Sequence, residues 1–133
     1  MKQLTIRGLA YSALMRSRAG VADRVRRAEH IAQSTTVASE LLFGFRSGGR
    51  LGKNLSELQT FLDSPYVDVV PVTYTTADRF GRVASDLRAK GRPIPTNDMW
   101  IAAHSMETGA ELLSFDQHFE AVDGLAWTLL SSP

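Results

Sequence analysis

Three acidic residues stand where an α/β fold would gather them for chemistry. Glu40 follows the hydroxyl-rich Ser34-Thr35-Thr36, Asp98 follows the stiff segment Gly91-Arg92-Pro93-Ile94-Pro95, and Asp116 follows the short apolar stretch ending at Ser114. Carboxylates are the ligands that hard divalent cations such as Mg²⁺ and Mn²⁺ prefer, and together the three acids suit an oxygen-only metal site. An ion held there can lower the pKa of a bound water, orient it in line with a phosphodiester, and stabilise charge on the leaving oxygen. No covalent nucleophile is then required. Each acid also has a plainer reading on its own. Asp98 at a helix start complements the helix dipole by about 0.3–1 kcal/mol, Asp116 can cap a short turn, and Glu40 can lie on a helix surface.

Other chemistries find less support. His30, His104 and His118 share no HxH or HExxH spacing, and each is expected to be structural or on the surface. With no cysteine there is no thiol nucleophile, disulfide or zinc–thiolate site. Ser39, Ser105 and Ser114 lack the G-x-S-x-G elbow of a hydrolase, and Gly8, Gly44 and Gly48-Gly49 make neither a Walker nor a dinucleotide loop.

The elements that must position the acids follow from hydrophobic periodicity. Leu4–Ile6 predicts a strand and 11–18 a helix that Gly20 stops; a second short helix spans 21–29 and a weak strand 30–34. A hydroxyl among residues 34–36 caps a helix carrying Val37, Leu41, Leu42 and Phe45, which ends at Gly48-Gly49. Leu55, Leu58, Phe61 and Leu62 make 54–62 amphipathic, with Ser64-Pro65 as its break. The β-branched run 67–72 predicts a strand, and Thr75 or Thr76 caps a helix with Ala77, Phe80, Val83, Ala84 and Leu87 inward. Thr96 or Asn97 caps a helix to about Thr108, followed by a strand at 111–114, a helical turn at 116–119 and a last strand at 127–130. Strands alternating with helices favour an α/β fold, a short, mostly parallel central sheet with helices on both faces. The expectation is a single domain over residues 1–133.

Charge and hydropathy narrow the setting. The formal net charge is +1, so no global field steers the chain onto nucleic acid, and any basic surface is local. No apolar run reaches the roughly 18 residues of a membrane span, and no apolar stretch of signal-peptide type follows Met1-Lys2. With the lack of cysteine, this points to a cytoplasmic protein.

Ser39-Glu40-Leu41-Leu42-Phe43-Gly44, then the run from Gly91 through Asn97-Asp98 to Ala103, then Ser114-Phe115-Asp116-Gln117-His118-Phe119 resembles the PIN-domain toxins of the VapC type across almost the whole chain. The resemblance implies a PIN-like fold and a Mg²⁺- or Mn²⁺-dependent endoribonuclease acting on cellular RNA. It also implies a homodimer held by a cognate VapB-type antitoxin. Carried over by position, Glu40, Asp98 and Asp116 match the family's acidic metal ligands, while Asn97 and Ser114 occupy supporting polar positions.

The chain departs from the pattern at its start, where Arg7 stands in the place of the family's first aspartate. A guanidinium there weakens divalent-cation binding electrostatically and can itself pair with the remaining carboxylates. Efficient cleavage and a catalytically inactive, antitoxin-binding protein are therefore both open, and a housekeeping nuclease would share the same site. Arg46, Arg50 and Arg92 are the expected RNA contacts, and 54–62 with Leu41, Leu42 and Phe45 the expected antitoxin groove.

Overall fold

Leu4, Thr5 and Ile6 are wholly buried, and they make β1 (Gln3–Ile6) the middle strand of a parallel sheet. The computed structural model describes residues 3–6, 8–16 and 19–131. In chain order the elements after β1 are α1 (Gly8–Met15), α2 (Ala19–Arg27), β2 (His30–Ser34), α3 (Thr35–Ser47), α4 (Leu51–Leu62) and β3 (Val67–Val70). Then come α5 (Tyr74–Lys90), α6 (Thr96–Thr108), β4 (Glu111–Ser114), a 3₁₀ turn (Gln117–Ala121) and β5 (Trp127–Leu129).

Among the described residues the sheet has five strands in the order β3-β2-β1-β4-β5, every neighbouring pair is parallel, and helices flank it. Parallel strands need crossovers, and the intervening helices supply them while covering the sheet. The central strands are accordingly apolar rather than alternating: Leu112 and Leu113 of β4 are wholly buried on successive positions. Ile101, Ala102, Leu87, Val37 and Phe119 close the core around them. No helix among the described residues is long and apolar enough to cross a membrane.

Long-range polar contacts fasten the layers. Arg24 of α2 pairs with Glu111, whose other oxygen accepts from Thr128, so α2 is tied to the entering ends of β4 and β5. Lys90 donates to the Ala121 carbonyl at 2.7 Å and pairs with Asp86 and Asp123, anchoring the end of α5 to the segment after β4.

Several expected boundaries move. Gly20 lies inside α2 rather than stopping a helix, and α1 ends at Met15; Arg18, at the expected end, lies outside the described residues. The α4 helix begins at Leu51, a turn earlier than 54–62 suggested, and β3 stops at Val70, where Pro71 follows with no N–H to continue the ladder. Thr73 caps α5, not Thr75 or Thr76, and the inward face is Thr76, Val83 and Leu87 while Ala77 is exposed. Pro95 occupies the cap position of α6, where neither Thr96 nor Asn97 was displaced from the helix to serve.

Candidate metal centre

Parallel sheets leave a crevice at the carboxyl ends of their strands, and here α6 and the turn after β4 both deliver acids to it. Pro95 fixes the entry to α6 and, lacking an N–H, sits well at a helix start. Asp98 follows in the first turn, its backbone N–H bonded to the Pro95 carbonyl at 3.0 Å. Its side chain is 1% exposed. A carboxylate removed from water costs several kcal/mol unless a partner compensates, far more than the helix dipole returns, so the dipole alone does not account for it. His118 is one such partner, its Nε2 lying 2.6 Å from Asp98 Oδ2.

Asp116 reaches the same place from the other side. The Ser114 hydroxyl, fully buried at the end of β4, accepts the Asp116 backbone N–H at 2.9 Å and shapes the bend. Asp116 takes the cap position of the 3₁₀ turn without making a side-chain cap hydrogen bond, which removes the plain capping reading. Oxygens of Asp98 and Asp116 and a ring nitrogen of His118 all lie within 4.8 Å of one another, the metal-ligand spacing among the described residues.

Glu40 is half-buried in the second turn of α3, whose start is set by the Ser34 hydroxyl accepting Thr36 N–H at 3.1 Å. Asn97 Nδ2 donates to Glu40 Oε2 at 3.3 Å, so the residue next to Asp98 links α3 to α6. Glu40 is not among the residues whose ligand atoms meet within 4.8 Å. Arg46, Arg50 and Arg92 are exposed, at the end of α3, before α4 and after α5. Arg7, the expected degenerate ligand position, lies outside the described residues.

Beneath the site, His104 holds α6 to the sheet. Its Nε2–H donates to the Pro71 carbonyl at 3.2 Å, which leaves Nδ1 to accept the Ser34 hydroxyl at 2.7 Å. Burial pushes the His104 pKa below its ordinary value, against smaller opposite effects of the Pro71 bond and Glu107. The neutral ring is thus what the fold holds.

A PIN-domain family model matches residues 10–125. The chain belongs to the PIN-domain family. Within it, the chain is similar to ribonuclease VapC1 of Haemophilus influenzae strain R2866, 37% identical over 49 residues that span 36% of this chain and 37% of that protein. A longer match, 26% identical over 98 residues, covers 74% of this chain and 73% of ribonuclease VapC5 of Mycobacterium tuberculosis. The VapBC2 structure from Rickettsia felis, bound to a DNA fragment from its promoter, superposes with a TM-score of 0.84 at 21% identity, covering 95% of this chain and 97% of that one. That likeness is one of fold.

His118 is the residue that sequence reasoning about this PIN domain set aside. A search for paired histidines passes over it, because its neighbours in space are acids from α6 and from two residues upstream. Its offset from Asp116, across a single bend, was the available signal.

Proposed function

We propose that this PIN-domain chain is a VapC-type endoribonuclease toxin of a type II toxin–antitoxin pair, hydrolysing RNA phosphodiesters with a Mg²⁺ or Mn²⁺ ion. The convergence of wholly buried Asp98 with Asp116 at the carboxyl end of the sheet carries this reading. Two carboxylates from separate rigid elements fit a hard divalent cation, and they offer oxygens without the thiolates that would favour softer metals. Asp98 and Asp116 would hold the ion, with Glu40 adding a third carboxylate from the rim, where Asn97 keeps it against α6. Ser114 supports Asp116 by fixing its backbone. The ion, when bound, supplies the Lewis acidity that makes water a nucleophile near neutral pH.

Arg46, Arg50 and Arg92 are exposed cations suited to the RNA backbone, and binding through them weakens with salt. An apolar groove of about 450 Å³ between α3 and α4, lined by Ala38, Leu42, Leu55, Leu58 and Leu62, suits a helix of a VapB-type antitoxin. Leu41 and Phe45 do not line this groove. The chain acts in the cytoplasm, as a homodimer, where RNA and antitoxin are both available.

A second reading rests on Arg7. A cation in place of the first family acid makes a metal site weaker, and the chain would then be an inactive PIN-like protein that engages or titrates an antitoxin. Cleavage of total RNA with Mg²⁺ or Mn²⁺ separates the two, comparing the chain with Asp98→Asn and Arg7→Asp. Cutting by the unaltered chain and none by Asp98→Asn is the expected result. Cutting by Arg7→Asp alone selects the binding protein, and cutting by none of them defeats the nuclease reading.

A further inference from the structure

We infer that His118 is itself a metal ligand and biases the site toward Mn²⁺ over Mg²⁺. The inference rests on the metal site proposed above and goes further by replacing an all-oxygen donor set with a mixed one. His118 lies on the 3₁₀ turn, where wholly buried Phe119 beside it fixes the backbone. The two rings lie 5.0 Å apart at 51°. This anchoring leaves the imidazole at the mouth of the site, 34% exposed, with Nε2 directed at the buried carboxylate of Asp98. One ligand atom from each of Asp98, Asp116 and His118 falls within the 4.8 Å that a shared ion needs.

The donor chemistry sets the preference. Mg²⁺ demands hard oxygens and gives up water reluctantly, whereas imidazole nitrogen suits transition metals. A neutral nitrogen donor also brings no negative charge, so it helps a purely electrostatic ion less than a third carboxylate would. On the resemblance, which puts Arg7 at the family's first acidic position, the site would have fewer anions to attract Mg²⁺, and the nitrogen donor would count for more.

The test is Mn²⁺ and Mg²⁺ titration of the full chain by calorimetry, with pulsed electron paramagnetic resonance of the Mn²⁺ complex to detect a directly bonded ¹⁴N. Expected are an imidazole ¹⁴N signal in the unaltered chain and its loss in His118→Ala. Mn²⁺ affinity should fall on the order of tenfold or more in that variant, with Mg²⁺ affinity changing much less. His118→Gln retains a side chain able to donate to Asp98 but no imidazole, and should lose the selectivity equally. Bound Mn²⁺ without a ¹⁴N signal, or full selectivity in His118→Gln, overturns the inference while leaving the carboxylate site standing. Failure of the unaltered chain to bind either ion overturns both.

Discussion

Asp98, His118 and His104 show how differently three buried or half-buried polar residues are placed in and beneath the candidate site. The first two face each other across it, and His104 contributes only position, through Ser34 and Pro71. Because burial lowers the His104 pKa, the unfolded chain takes up a proton that the folded chain resists. Its contribution is complete above the unfolded value near 6.5 and is lost as pH falls below it toward the lower folded value. The urea midpoint should therefore drop between pH 7 and pH 5, less steeply in His104→Gln than in the unaltered chain. His104→Ala empties a fully buried position and strands two partners, so a loss of about 3 kcal/mol at pH 7 is expected in the same urea experiment. At this scale Asp98 and Asp116 stand out in the sequence because one sits at a helix start and the other just after a strand, and the fold brings the two together, whereas Glu40, in the second turn of α3, is not among the grouped residues. The imidazole of His118 was legible only through its two-residue offset from Asp116, since nothing in the sequence reveals that α6 brings Asp98 to it.

At the scale of elements, α5 shows where periodicity succeeds and where it slips. Val83 and Leu87 face inward as the spacing predicts, but neither Thr75 nor Thr76, the hydroxyls expected to cap the helix, does so. In the structure Thr73 caps and Thr76 is the third helical residue: it accepts Thr73 N–H at 3.0 Å and donates to Glu107 of α6 at 2.6 Å. A tertiary partner has drawn a hydroxyl inward that local preference would leave outside. Thr76→Val keeps the shape and removes both bonds, so it should cost roughly 2 kcal/mol by chemical denaturation. Phe80 stacked on Trp100 at 4.1 Å holds the same two helices together lower down. The late start assigned to α4 has a similar origin: Leu51 is only half-buried, and its turn adds little to the apolar stripe from which the helix was read.

For the molecule as a whole, alternating strands and helices gave the class of fold, while the order β3-β2-β1-β4-β5 lay beyond periodicity. A pattern of buried positions says which residues face inward and not which strand lies beside which. The resemblance to PIN-domain toxins implied the family, which the match over residues 10–125 bears out, and left the strand order to the structure. The same strand order has a kinetic consequence. Leu4 pairs with Glu111 and Ile6 with Leu113, so the centre of the sheet closes only when distant parts of the chain meet. Helices form from local contacts, but such closure is slow because loop entropy is lost before the strands gain their bonds. Asp98 and Asp116 become neighbours only after that event. On dilution from denaturant, far-ultraviolet circular dichroism should recover first and the Mn²⁺ affinity proposed for the site later, so that the refolding chain passes through a stage that is helical while its two acids are still apart.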